Sequence, residues 1–271
     1  MTNIAAIPVR KSIRVLAALL VASMTWTTGV RASECRRPGA LGTSRVLRID
    51  VASTPRVGLK QFPQTLPLQD HEVVLTFDDG PWPSTTPKVL AALALECVRA
   101  TFFLIGKSAA EYPALVRRIA AEGHTIGHHT WSHRSLMRIP PGEAPAEIDR
   151  GISAVEMALH GVSTKVPSTP FFRFPGFEST QALLDNLKAR GIVVFGADLW
   201  ASDWNPMTPR QELKLITDRL KNAGRGIILL HDSKARTAAM LPDFLRYLRD
   251  NHYRVVHIVP SGREAASGGA P

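Results

Sequence analysis

LTFDDGP, Leu75 to Pro81, is the stretch on which the rest of the chain turns. An apolar run ends in two adjacent carboxylates, Asp78 and Asp79, and breaks at Gly80-Pro81. Adjacent acids repel, and each is costly to bury without a partner. The run Val73–Phe77 reads as a buried strand, which puts the acidic pair at its C-terminal end. One acid holding a cation while its neighbour uses it would account for the placement.

Outward from this stretch, strand-like and helix-like segments alternate. Further strands are expected at Ala100–Leu104, Thr125–His128, Phe171–Phe174, Ile192–Phe195, Ile227–Leu230 and Val255–Ile258. Helical patterns fall at Pro87–Leu95, Pro113–Glu122, Ala146–Leu159, Thr180–Arg190, Arg210–Asn222 and Ala239–Asn251. Pro87 and Pro113 suit first-turn positions, and Gly123, Gly191 and Gly224 suit the stops. Seven strands with intervening helices argue for a parallel α/β architecture, barrel or open sheet, and 271 residues suit one such domain.

The polar residues fall at one end of those strands. Asp78 and Asp79 follow the first, His129 and His133 the third, Asp203 the fifth, while Arg173 and His231 close the fourth and sixth. The C-terminal strand ends are where an α/β barrel keeps its active site. In HTWSH, the spacing of His129 and His133 would place both imidazoles on one face of a helical turn. Two histidines and a carboxylate, Asp79 or Asp78, make three metal ligands and leave positions open for water and substrate. Such a metal would make bound water a usable nucleophile, which then needs a base and a leaving-group acid. Arg173, in FFRFPG, suits a partner that keeps the base ionised. His231, in IILLHD, suits the acid, with Asp203 raising its pKa. His124 and His128 are assigned structural roles. Trp204 suits stacking on a sugar ring, and Trp131 and Trp200 suit packing.

The first 32 residues read as an export signal: Arg10, Lys11 and Arg14, the apolar run Val15–Ala22, then Val30-Arg31-Ala32 before Ser33. An uncleaved anchor is the alternative, although the run is short for a membrane span. Cleavage removes four basic residues and no acidic one, lowering the net charge from +10 to +6. No basic helix with interleaved aromatics is present, which argues against nucleic acid. Cys35 and Cys97, the two cysteines, are expected to pair after export, contributing about 4 kcal/mol, with free buried thiols as the alternative. Residues 33–70 read as an extended lead-in with a strand-like piece at Val46–Val51, residues 71–260 as the catalytic domain, and residues 261–271 as a disordered tail.

With these residues assembled, the chain resembles the polysaccharide deacetylases of carbohydrate esterase family 4, which share the chitooligosaccharide-deacetylase homology domain. TFDDGP, HTWSH, RFPG, SDW and ILLH carry the likeness, over about Glu72 to Val259. The resemblance implies Asp78 as base, Asp79, His129 and His133 as ligands, and Leu229 and His231 in the last motif. It also implies a distorted (β/α) barrel of seven or eight strands. The expected cofactor is one divalent metal, zinc first, with cobalt, manganese, nickel or iron as the others. Two departures stand out: Gly176 occupies the place of a Tyr whose backbone N–H serves the oxyanion, and Trp200 occupies that of an Asp. Gly176 still carries the N–H. Together these imply an exported, periplasmic or secreted monomer that removes N-acetyl groups from N-acetylglucosamine units of chitin, peptidoglycan or a related glycan. The alternatives are an O-acetyl esterase acting on a glycan such as xylan, and a non-catalytic glycan-binding envelope protein.

Overall fold

The computed structural model describes residues 1, 2 and 37–261. The expected signal segment, its cleavage site, Cys35 and the tail lie outside the described residues. The chain divides into two compact units, Met1–Glu34 and Cys35–Pro271, and every element named below belongs to the second. Cys97 is disulfide-bonded. Among the described residues no helix is long and apolar enough to cross a membrane.

Among the described residues, ten strands alternate with seven helices. The strands are β1 (Thr43–Ile49), β2 (Arg56–Val57), β3 (Glu72–Asp78), β4 (Thr101–Leu104), β5 (Thr125–His128), β6 (Phe171–Phe172), β7 (Val193–Phe195), β8 (Leu199–Trp200), β9 (Gly226–His231) and β10 (Arg254–Pro260). The helices are α1 (Thr86–Leu95), α2 (Gly106–Glu111), α3 (Pro113–Ala121), α4 (Ala144–His160), α5 (Gln181–Ala189), α6 (Pro209–Ala223) and α7 (Ala235–Asp250). All seven expected strands and six expected helices are present. The fourth strand stops at Phe172, two residues early, where Pro175-Gly176-Phe177 forms a 3₁₀ turn. Helix α2 carries no apolar periodicity, and β2 and β8 are two-residue pairings too short to leave a pattern.

Every strand pairing is parallel. Seven strands run in the order β8-β9-β3-β4-β5-β6-β7, and among the described residues no pairing joins β7 to β8. The result is a distorted parallel barrel with an open seam. β10 pairs with the first two residues of β3 and carries β1 beyond it, while β2 adds to β7.

Strand β3 (EVVLTFD) is buried along its whole length. Because side chains alternate between faces, its odd and even positions meet different neighbours. Val73, Leu75 and Phe77 join the larger apolar cluster with Leu90 and Leu93 of α1 and Leu241, Phe244 and Leu245 of α7. Val74 joins Phe103, Phe171, Phe195 and Ile227 in a second cluster. Asp78 therefore continues the face of Val74 and Thr76. On β9 the same alternation puts Ile227 on one face and Ile228 and Leu230 on the other, so His231 falls on the face of Ile227.

Candidate active site

Asp78 and His231 are register partners on β3 and β9. The Asp78 carboxylate is buried and accepts a 2.7 Å hydrogen bond at Oδ1 from Nη1 of Arg173. Arg173 is fully buried, a state a guanidinium tolerates only when its donors are matched. Nη1 also donates to Thr76 Oγ1 at 2.8 Å, Nη2 donates to the Gly196 carbonyl at 2.8 Å and Nε to the Phe195 carbonyl at 3.3 Å. The guanidinium lies 4.3 Å from the Phe103 ring centroid. Burial raises the Asp78 carboxyl above its ordinary range, and the positive charge of Arg173 offsets that rise only in part.

Asp79 turns away from the strand with a left-handed φ of 76°. Its Oδ1 lies 3.2 Å from His133 Nε2 and 3.6 Å from His129 Nε2. The ligand atoms of Asp79, His129 and His133 all fall within 4.8 Å of one another. His129 donates from Nδ1 to the Arg173 carbonyl at 2.7 Å, which leaves Nε2 as an unprotonated acceptor facing the carboxylates. Burial, with His133 close by, pushes His129 down to about 3, so the ring is neutral. Asp79 Oδ1 is buried with no hydrogen-bond partner. An orphaned carboxylate oxygen between two imidazole nitrogens fits a divalent cation.

The two histidines do not converge through a helix. HTWSH forms a loop in which Thr130 and His133 both take left-handed φ, 62° and 60°. The expected helical turn is thus corrected. Contacts from neighbouring helices set the loop instead. Gly106 N–H and Lys107 N–H of α2 donate to the Thr130 and Trp131 carbonyls, both at 2.9 Å. Trp131 N–H donates to the Glu147 carbonyl at 3.0 Å, and Glu147 Oε2 accepts from Ser132 N–H and Oγ at 3.1 and 3.0 Å. Arg150 lies over the Trp131 ring at 3.7 Å. Gly151 packs so closely that a Cβ there would sit 2.5 Å from the Thr130 carbonyl carbon.

Across the site, Asp203 holds His231 twice, accepting from its backbone N–H at 2.8 Å and facing Nδ1 at 2.7 Å. Burial alone would lower the imidazole; the hydrogen bond and charge of Asp203 outweigh it, and His231 rises to about 9. Thr237 Oγ1 lies 2.8 Å from Asp203 Oδ2 and 2.9 Å from Glu212 Oε1. One hydroxyl proton cannot serve two ionised acids. Glu212, fully buried and pushed up to about 7 by burial and then by Asp203, is the protonated partner. Asp203 stays ionised: burial raises it, but the bonds from His231 and Thr237 bring it below the usual carboxylate range.

Two acids that the sequence reading passed over therefore stand behind His231. Glu212 lies in an amphipathic helix where an acid looks like surface. Asp232 is fully buried and accepts from Thr86 Oγ1. Burial lifts it to about 7, and a Cβ on Gly80 would collide with it. Its place directly after His231, in LLHD, was the available signal. His124 and His128 are buried away from the ligand cluster; His124 Nδ1 accepts from Ala100 N–H at 3.1 Å.

The cavity over these groups has a volume of about 470 Å³. Leu229 and Gly176 line it, Gly176 with a left-handed φ of 60°. Trp204 is 49% exposed and meets His231 edge-on with centroids 5.9 Å apart. Trp200, expected to pack, is half-buried and lines the same cavity.

Known proteins share this arrangement of chain. The sequence model of the family described as polysaccharide deacetylase matches residues 66–195. A chitooligosaccharide deacetylase of Azorhizobium caulinodans is 38% identical over 162 residues, covering 59% of this chain and 73% of that protein. A peptidoglycan-N-acetylglucosamine deacetylase of Listeria monocytogenes is 31% identical over 191 residues, 70% of this chain; the matched part spans only 38% of that relative's length. The solved structure of a Bdellovibrio bacteriovorus peptidoglycan deacetylase aligns with a TM-score of 0.72 at 31% identity, over 83% of this chain and 62% of its own.

Proposed function

The chain belongs to the polysaccharide deacetylase family, and we propose that it is a metal-dependent hydrolase removing N-acetyl groups from N-acetylglucosamine units of an envelope or chitin-type glycan. The observation that carries this reading is the convergence of Asp79, His129 and His133, with Asp78 and His231 in register beside them. Asp79, His129 and His133 would hold the cation. When bound, a divalent metal lowers the pKa of a coordinated water and polarises a carbonyl oxygen.

The remaining chemistry belongs to the chain. Asp78, paired with Arg173, takes a proton from the attacking water as its oxygen bonds to the acetyl carbon. The Gly176 N–H stands in for the oxyanion donor, and Leu229 offers an apolar surface to the acetyl methyl. His231 gives its proton to the glycosamine nitrogen as the carbon–nitrogen bond breaks, releasing acetate and an amine. Asp203 keeps the imidazole charged until that step. Trp204 suits an open stacking face for a sugar ring. We propose that the protein is exported, from the signal-like pattern of its first 32 residues and the polymeric substrate class, and that it works as a monomer.

The test is acetate release from chitin oligomers, peptidoglycan and acetylxylan by metal-loaded protein. Acetate from the first two supports the amidase; acetate from acetylxylan alone would favour an O-acetyl esterase. Tight glycan binding with no acetate from any of them would make the protein a binder.

A further inference from the structure

The charges on the cavity wall do not suit a neutral glycan. Asp78 is matched by Arg173, and Asp79 lies among the imidazoles of the proposed metal site. His231 is matched by Asp203, and the two charged side chains of the lining that remain, Lys60 and Lys234, are both cations.

Both are anchored through their backbones. Lys60 follows the short strand β2; its N–H donates to the Ala197 carbonyl at 2.8 Å, and its Nζ lies 4.7 Å from the Trp200 ring centroid. Lys234 precedes α7, three residues beyond His231, and its N–H donates to the His231 carbonyl at 3.2 Å. Among the described residues no carboxylate lies within ion-pair distance of either ammonium. Resting on an aromatic face orders the Lys60 stem without neutralising its charge. A second cation, Arg219, has its guanidinium carbon 4.9 Å from the Trp200 centroid and donates to the Trp200 carbonyl and Ser202 Oγ. Lys60 and Arg219 thus both lie against Trp200, and of the two Lys60 lines the cavity.

An acetamido sugar without charged substituents would leave these ammonium groups partly desolvated and unpaired on binding, which opposes affinity. A carboxylate on the sugar, at or beside the unit that loses its acetyl group, would pair with them at the rim of the cavity. We propose that Lys60 and Lys234 form a carboxylate-reading subsite that selects acetylated glycans bearing an anionic ring substituent over neutral ones. The inference rests on the glycan-directed reading above and narrows its substrate class. Lactyl ethers and uronic acids both supply such a carboxylate.

The test uses three soluble oligosaccharide series of matched length. Chitin oligomers are neutral, peptidoglycan strands stripped of peptide carry lactyl carboxylates, and an alternating N-acetylglucosamine–glucuronate polymer carries uronates. Acetate release and direct binding are measured for the full chain and for Lys60→Met, Lys234→Met, their double variant and the two Lys→Arg variants. At least one carboxylate-bearing series is expected to exceed chitin in kcat/KM by about tenfold at low salt. Each Met variant should lower that ratio by about threefold and the double variant by about tenfold, while the Arg variants keep it. The series that responds tells lactyl from uronate. A wild-type ratio of one or less, or a ratio that the Met variants leave unchanged, overturns the subsite. Acetate from no glycan, with carboxylate-selective binding still weakened in the Met variants, would remove the hydrolase reading and keep the subsite.

Discussion

Asp78 and His231 face each other in register across β3 and β9. Adjacent parallel strands lie about 4.8 Å apart, so an acceptor and a donor of protons stand at one height on the same face of the sheet. Neither depends on a mobile loop for its position. In the proposed reaction, both proton transfers would be placed by the pairing of two buried strands.

Separating metal holding from metal use follows from that arrangement. Asp78→Asn and His231→Asn each should retain the cation and the fold while turnover falls by about 10²–10⁴. The double variant should lose less than the product of the two. Acetate assays on metal-quantified protein check this, and wild-type turnover by Asp78→Asn would remove the base assignment.

Ligand loss has a different signature. Asp79→Ala or His129→Ala should abolish stoichiometric divalent metal in elemental analysis, since two remaining ligands hold a cation poorly. Stoichiometric metal in both variants would refute the ligand set.

As the proposed acid, His231 should set the alkaline limit of activity. Its pKa of about 9 lies above the ordinary histidine value, so the acid is present below that pH and turnover falls as pH rises through about 9. Asp203→Asn removes the main raising influence, which lowers the pKa and moves the decline to lower pH. A pH–rate profile unchanged in Asp203→Asn would disconnect the pair.

Glu212 is held neutral by the fold at a pH where the unfolded chain ionises it. A raised carboxyl pKa favours the folded state only at low pH, and wild-type stability is drained as pH climbs from about 4.5 to about 7. Glu212→Gln keeps the donor to Thr237 and cannot ionise. Its melting temperature should therefore gain on the wild type across that window, with activity within about twofold. Equal shifts at pH 4 and pH 8 would mean that Glu212 is not buried as an acid.

Glu72 carries the opposite sign. Arg45 grips its carboxylate at 2.9 and 2.7 Å, joining β1 to the start of β3, and the pKa drops to about 2. That stabilisation is complete above about 4.5 and disappears as pH falls towards 2. Arg45 is partly exposed, so Arg45→Ala should cost about 1–2 kcal/mol at neutral pH and raise the acid-unfolding midpoint. Chemical denaturation at pH 7 and pH 3 measures both.

The apolar run Val73–Phe77 and its acidic ending made the central strand and its polar end legible from residue order alone. The same was true of Arg173, because a cation closing a run of phenylalanines has few exposed readings. What escaped was anything built by contact between distant segments. His129 and His133 have helical spacing, yet α2 and α4 bend them into a loop through backbone bonds that no periodicity records. Glu212 resembles a surface acid until α7 brings Thr237 over it. Lys60, in the segment before the barrel, comes near the cavity only because β2 pairs with β7.

The glycine at position 151 gives helix α4 a part in the chemistry although it supplies no reacting group. With Thr130 backbone pressed against it, α4 acts as the fixed stop for the loop that carries the proposed ligands. A single methyl group there has nowhere to go except into that loop, which would carry His129 and His133 with it. Damage of this sort would register as weakened metal affinity in a protein that still folds, and a survey of residues near the cation would miss its source.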